Sequence, residues 1–390
     1  MNNRAHIPQL DGLRGVAILL VLVWHYVVCQ LPPSRAVWIE VLRKSPLNIS
    51  WSGVDLFFVL SGFLLGGILI ENRASGSYFK PFFIRRFCRT LPMYYLVLLV
   101  FVLITSLGFY RPGRFDWLFA DAFPLWSYAS FTQGFFMLTL GKFGPTWLSV
   151  GWSLAVEEHF YLTLPFVIYF SSPRNLPWVL LGLIMMSQAL RFLVVYVFAS
   201  HAHANFFLMP CRADSLLAGV LVAWAARNPL FGQRIAAEIK RFYWILAVLF
   251  AGVALLAYSE ETFYSTLMSR IGYSWLALFY TALLLIVLYE KSGPLAWLCR
   301  RPLLREIGII SYGIYLLHLP VSGLLHGLLD QNVPRLVGFR SAGITLLAFL
   351  VTLALARLSY VFFEKPIINF GHKWRYRASG KLLVPAPDKR

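Results

Sequence analysis

The sequence predicts an all-α polytopic membrane protein, a bundle of about ten transmembrane helices with both termini in the cytoplasm. Composition is the first reason. Of 390 residues, 59% are hydrophobic and only 13% charged, with a mean hydropathy of +0.67, too apolar for a soluble domain. The second is a succession of apolar runs near 20 residues long, the length that crosses about 30 Å of hydrocarbon. They lie near 12–31, 51–70, 91–108, 148–170, 176–199, 209–225, 242–257, 271–289, 308–329 and 341–362. The third is the placement of positive charge. With these runs as spans, 22 of the 35 Lys and Arg fall on the flanks that include both termini and 9 on the opposite flanks, which puts the termini inside. The formal net charge of +18 therefore reflects topology first, and no nucleic-acid partner is expected.

The first span, PQLDGLRGVAILLVLVWHY, has no small-residue cleavage site after it and reads as a retained helix. It holds Arg14 and His25. Ionisable groups at bilayer depth cost a few kcal/mol each and need a partner or a task. Eleven residues at 100° each return to within about 20° of the same helix face, with a rise of about 16 Å. Arg14 is expected near one membrane surface as an anchor, and His25 near the middle as the chemical group. Snorkelling and a plain interhelical bond fit the same residues.

The second span carries Asp55 and a set of small residues, Ser61, Gly62, Gly66 and Gly67, that suit close helix packing. Asp55 either orients His25 or pairs with another helix. The next segment, YFKPFFIRRFCRTLPMYY, places Lys80 and Arg85 as interfacial anchors. Arg86 and Arg89, at i and i+3, share a face and can clamp a phosphorylated ligand, a role that anionic membrane lipids would also satisfy. Residues 109–147 form the longest non-cytoplasmic connection. A helix within 117–140 is expected there, serving as a lid, an acceptor-facing surface or an aromatic interfacial belt.

The fourth span contains Glu157, Glu158 and His159 in succession, which must point in different directions. Glu157 is expected at the depth of His25, as a tautomer-holding carboxylate, a proton acceptor or a member of an interhelical network. Further along lie Arg191, then Arg212 and Asp214, which either pair with each other or reach other helices. The ninth span offers Tyr315 and His318, a face that lines a sugar site or cements the bundle. The tenth is expected to stop at Pro366 in FFEKP, closing a domain of residues 1–370, with a basic tail over 371–390. The four cysteines have no metal or redox spacing, and there is no dinucleotide or Walker-type glycine loop. No metal site and no permanently bound cofactor are expected.

Six segments in order, PQLDGLRGVAILLVLVWHY, GVDLFFVLSGFLL, FFIRRFCRTLP, WSLAVEEHFYL, SYGIYLLHLPV and FFEKP, resemble the membrane acyltransferase-3 family. That family includes O-antigen, exopolysaccharide, nodulation-factor and macrolide O-acyltransferases. The resemblance covers about residues 7 to 370, and its most specific features are Arg14 with His25 and the Arg86 and Arg89 pair. It implies acyl-CoA, commonly acetyl-CoA, as co-substrate in a bacterial cytoplasmic (inner) membrane. The acceptor would be a hydroxyl of a carbohydrate, a lipid-linked glycan or a glycosylated small molecule.

Under the resemblance, Arg14, Arg86 and Arg89 would bind the donor phosphates and His25 would act as general base or acyl carrier. Glu157 or Asp55 would orient His25, while Glu158, Tyr315 and His318 would support the site or the acceptor. Some members continue into an SGNH-type hydrolase-like domain; here the membrane domain is expected to act alone. A glycolipid or metabolite transporter or flippase is the rival, since it too places Arg, His and Glu inside such a bundle. A catalytically silent scaffold is a third. Consumption of acyl-CoA separates the enzyme from both.

Overall fold

The computed structural model describes residues 7–32, 36–108, 115–197, 203–259 and 263–377. Each apolar run becomes a helix because lipid leaves backbone polar groups no partners outside their own segment. Among the described residues the ten long helices are α1 Pro8–Tyr26, α2 Gly53–Glu71, α3 Phe79–Ser106, α4 Gly151–Phe170 and α5 Leu176–Val197. They continue with α6 Met209–Ala225, α7 Ile239–Ser259, α8 Tyr273–Tyr289, α9 Ser311–Leu329 and α10 Phe339–Ser359. Nine helices among the described residues combine the length and hydropathy of a membrane span. The tenth long one, α4, is diluted by Glu157, Glu158 and His159. It packs on α2 and α6 inside the bundle, and Glu157 and Glu158 find partners in Ser61 of α2 and Thr90 of α3.

Two boundaries differ from the sequence expectation. Helix α3 begins at Phe79, so Arg85, Arg86 and Arg89 ride on the spanning helix itself instead of preceding it. Their charge depresses hydropathy without interrupting the helix. Pro366 does not stop the last helix either. The chain passes from α10 through a π-turn, Tyr360–Glu364, into a further helix, Lys365–His372, with Pro366 in its first turn. The backbone stays helical through this junction, and the π-turn just before Pro366 is the local adjustment that accommodates its missing N–H.

Residues 371–377 fold back on α3 instead of opening a tail. Arg85 Nε donates to the carbonyl of Trp374 at 2.9 Å, and Lys80 lies 4.5 Å from the Trp374 ring. Residues 378–390 of the expected basic tail lie outside the described residues.

The connection after α3 contains three short helices, Asp116–Phe119, Leu125–Ala129 and Gln133–Leu140, so the helix expected within 117–140 is present as several short ones. Asp121 and Phe131 turn its corners with positive φ of 60° and 58°. Tyr94 and Tyr95 of α3 donate to the carbonyls of Tyr128 and Ala129, and Gln133 donates to the carbonyl of Gly151, so the loop is pinned across the mouth of the bundle.

Helices α2 and α6 cross with their backbones nearly touching. A Cβ at Gly62 would strike the backbone of Leu216, and one at Gly219 would strike the carbonyl of Val59. Two buried ion pairs lock the same region. Arg212 meets Asp55 at 2.7 Å and Arg191 meets Asp214 at 2.7 Å, so Arg212 and Asp214 each reach another helix rather than one another. Ser215 adds a bond to Asp55, and Arg191 also donates to Gln188, Ser274, Ser187 and the carbonyl of Cys211. The Arg212 guanidinium also lies 3.9 Å over the Tyr273 ring. Such pairing is what charge inside a bundle requires.

Candidate active site

Helix α1 connects two cavities. Arg14 opens into one and His25 into the other, as their common helix face requires. The inner cavity, with about 640 Å³ of empty space, is lined by Arg14, by Arg86 and Arg89 of α3, and by Glu157 and Tyr161 of α4. Arg14 Nη1 stands 3.5 Å from Asp11. Ser61 donates to Glu157 Oε1 at 2.8 Å, and Arg86 lies 5.5 Å from the Tyr161 ring. Three guanidinium groups face a single lining carboxylate, so the cavity carries a surplus of fixed forked donors. That arrangement suits a ligand with several anionic oxygens.

The outer cavity, with about 1090 Å³ of empty space, is lined by His25 among Trp24, Trp51, Trp117, Trp152 and Phe263, with Gln30, Thr146 and Ser149 between them. Val54 and Tyr315 line both cavities and so form their common wall. Tyr315 Oη sits 2.6 Å from Ser153 Oγ and 3.3 Å from the carbonyl of Val150. The loop after α3 supplies Trp117, Phe143 and Thr146 to this cavity, the place expected for a lid or acceptor-facing surface.

The histidine tautomers follow from their partners. His318 Nδ1 lies 2.7 Å from the carbonyl of Tyr315 and 3.2 Å from that of Ile314, and a carbonyl can only accept, so Nδ1 carries the proton. His318 Nε2 is then a lone pair. It lies 3.2 Å from His25 Nδ1, which also lies 3.0 Å from the carbonyl of Val21. Two acceptors around His25 Nδ1 place its proton there. His25 Nε2 is left as a basic lone pair on a side chain that lines the outer cavity. Tyr26 donates to the carbonyl of His318 at 2.8 Å and pairs with Thr352 at 2.9 Å, tying α1 to α9 and α10 at the same level.

Several expected partners are elsewhere. Asp55 is fully buried against Arg212 and Ser215 and lines neither cavity, so it does not orient His25. Glu157 lies in the arginine cavity on Ser61, and it too is not the partner of the imidazole. Glu158, one residue and about 100° further round α4, bonds Thr90 of α3 and lines neither cavity. His318 is buried behind His25 instead of facing a ligand. Tyr315 stands in the shared wall. Arg14, Arg86 and Arg89 do converge.

Gln30, Tyr26 and the tryptophans of the outer cavity escaped the sequence reading. The run Trp24, His25, Tyr26 was one available signal: the first and second residues line the outer cavity and the third clamps His318.

A family profile described as an acyltransferase domain, of the acyltransferase-3 type, matches residues 7–361. Peptidoglycan O-acetyltransferase OatA of Listeria monocytogenes serovar 1/2a (strain ATCC BAA-679 / EGD-e) is 30% identical, over 98% of this chain and 61% of that protein. Putative peptidoglycan O-acetyltransferase YrhL of Bacillus subtilis (strain 168) is 28% identical, over 94% of this chain and 56% of that protein. O-acetyltransferase OatA of Staphylococcus aureus (strain NCTC 8325 / PS 47) is 26% identical, over 96% and 59%. The chain thus spans 56–61% of the length of these relatives. No solved structure matches. With the match running from α1 through α10 and both cavities inside it, the chain belongs to the acyltransferase-3 family of membrane proteins.

Proposed function

We propose that this chain is an integral membrane O-acyltransferase that moves an acyl group, acetyl in the simplest case, from cytoplasmic acyl-CoA to a hydroxyl of a carbohydrate acceptor. The observation that carries the proposal is the pair of cavities that share Val54 and Tyr315, one lined by three arginines and the other by the His25 imidazole. Coenzyme A phosphates would bind Arg14, Arg86 and Arg89. The extended thiol arm would run along α1, whose rise of about 16 Å separates Arg14 from His25. The relatives named for peptidoglycan O-acetylation support a glycan as the acceptor.

In the reaction, the acceptor oxygen attacks the thioester carbonyl carbon as His25 Nε2 takes the hydroxyl proton. His318 Nε2, accepting from His25 Nδ1, holds the ring and stabilises the imidazolium that forms, the office a carboxylate fills in a serine-hydrolase triad. The carbon–sulfur bond then breaks, and the imidazolium proton passes to the leaving sulfur to give the coenzyme A thiol. His318 thus takes the positioning part first assigned to Glu157 or Asp55.

The test is coenzyme A release from acetyl-CoA by purified protein supplied with glycans, comparing wild type with His25→Ala and Arg14→Ala. Lost turnover with donor binding retained in His25→Ala, and weakened donor binding in Arg14→Ala, are the expected results. A wild type that neither binds nor consumes acyl-CoA overturns the proposal.

A further inference from the structure

A third cavity, with about 1750 Å³ of empty space, opens where α2, α4 and α6 end and α5 begins. This is the end of the bundle that carries Arg14, and the distribution of Lys and Arg assigns it to the cytoplasm. Among the described residues it shares no lining side chain with either cavity along α1. Arg73 and Arg227 supply its positive charge. Arg73 Nη2 donates to the carbonyl of Tyr169 at 3.1 Å. Arg227 donates to the carbonyls of Gly67 and Ala223 and stands 3.6 Å from Glu71 Oε1. Each guanidinium is thus seated on carbonyls near the C-terminal end of a span, the negative end of the helix dipole, and is held in place before any ligand arrives. Arg227 shares its charge with Glu71, whereas Arg73 commits one of its five N–H groups to a carbonyl. With two arginines and one glutamate, the lining keeps one positive charge in surplus.

The same lining is apolar elsewhere, with Ile70, Leu176, Trp224 and Phe231. Beside it, Ile68 of α2, Phe170 of α4 and Trp178 of α5 are exposed, and on membrane spans that exposure is to lipid. A free phosphate or a soluble anionic metabolite would use the guanidiniums and leave these aromatic and aliphatic groups in water. A zwitterionic phospholipid would bring an ammonium along with its phosphate, so the surplus charge would stay unanswered. A lipid with one net negative charge matches both halves, as basic clefts between spans at the cytoplasmic surface do for anionic headgroups. We infer that this cavity is a binding site for an anionic glycerophospholipid of the adjoining leaflet, with its phosphodiester on Arg73 and Arg227 and its acyl chains along Leu176, Trp224 and Phe231. The site is separate from the acyl-transfer reading and stands or falls without it.

The test titrates the full chain, stripped of lipid in detergent micelles, with dioleoylphosphatidylglycerol and separately with dioleoylphosphatidylethanolamine, and counts bound lipid by native mass spectrometry. The first phosphatidylglycerol is expected to bind about tenfold tighter than phosphatidylethanolamine, the size of one charge-assisted hydrogen bond. Arg73→Ala should remove that preference. Arg73→Gln, which can still donate to the carbonyl of Tyr169, should remove it too and covers the case in which the Ala variant does not fold. Arg301→Ala, at an exposed arginine outside the cavity, should leave it intact. The unfolding midpoint of each variant without lipid reports folding. Equal affinity for the two lipids overturns the inference, as does a preference that survives in the folded Arg73 variants or one that Arg301→Ala loses equally. Glycerophosphoglycerol, the headgroup without chains, should fail to displace the lipid at equal concentration; displacement would make the site one for a soluble phosphate and overturn the lipid assignment.

Discussion

His25 Nδ1 and His318 Nε2 lie 3.2 Å apart, and Tyr26, the next residue on α1, donates to the backbone carbonyl of His318. Helix α9 is thereby fixed to α1 by two consecutive residues, and the ring of His25 has one orientation and one tautomer. Replacing His318 by Ala removes the acceptor for Nδ1–H and frees the ring. The expected result is a fall in kcat of about 10²-fold, within the range that a positioned base contributes. The donor KM should hold, because the arginines lie in the other cavity. His318→Gln, which can present an oxygen to Nδ1–H, should recover part of the loss. A folding defect would also lower apparent kcat at unchanged KM, so the number of acetyl-CoA sites in each preparation is counted by titration and kcat is expressed per site.

Arg86 and Arg89 line the inner cavity together with Arg14. Each charge-assisted bond to a phosphate contributes about 1.5–3 kcal/mol, so Arg86→Ala and Arg89→Ala should each weaken acetyl-CoA binding by about tenfold or more. Arg86→Lys keeps the charge and loses the planar fork, and should fall between wild type and Ala. Calorimetric titration at two salt concentrations checks both points. Affinity that is unchanged in every variant would leave the donor without its anchor.

Hydropathy made the helices legible, since bilayer thickness imposes a length and the backbone has no alternative to helix in lipid. It failed where charge or proline sits on a helix that continues: at Arg85, Arg86 and Arg89, which belong to α3, and at Pro366, which rides in a first turn. That Arg14 and His25 each line a cavity along one face of α1 was readable, because their burial is costly and their spacing shares a face. The partner of His25 was not readable. His25 and His318 are 293 positions apart, and nothing local distinguishes a histidine that faces a ligand from one that backs another histidine. For the same reason Asp55 and Glu157 looked equally suited to the imidazole, yet helix rotation delivers one to Arg212 and the other to the arginine cavity. The tryptophans of the outer cavity were hidden among the aromatics that any membrane interface carries.

The Arg212 and Asp55 pair is 1% and 0% exposed by side chain and joins α6 to α2 where Gly62 and Gly219 bring their backbones together. Removing one partner strands a charge. Arg212→Ala should therefore destabilise the bundle by about 3–5 kcal/mol, seen as a lower midpoint of thermal inactivation in detergent. The double variant Arg212→Met with Asp55→Leu removes both charges at similar volume and should regain much of that loss. A double variant no better than Arg212→Ala would mean that the pair is not the source of the stability.

Val54 and Tyr315 are the side chains common to both cavities. Under the proposed transfer, an acyl group passing from the arginine side to His25 would lie against them. The hydroxyl of Tyr315 is held by Ser153 at 2.6 Å, so the ring is the fixed part of the wall and the Val54 side chain the part that substitution can widen. Val54→Ala should raise the kcat/KM ratio of butyryl-CoA to acetyl-CoA by about tenfold, since one methylene in a tight apolar site is worth about 1–3 kcal/mol of discrimination. Val54→Phe narrows the same place and should depress even acetyl transfer, while donor binding to the arginines persists. Tyr315→Phe keeps the ring and drops only the hydroxyl's bonds to Ser153 and to the carbonyl of Val150, so it should leave the ratio near wild type. Competition kinetics with mixed acyl-CoAs reads all three. Equal ratios across the Val54 series would show that the acyl group reaches His25 by a route that does not pass this wall.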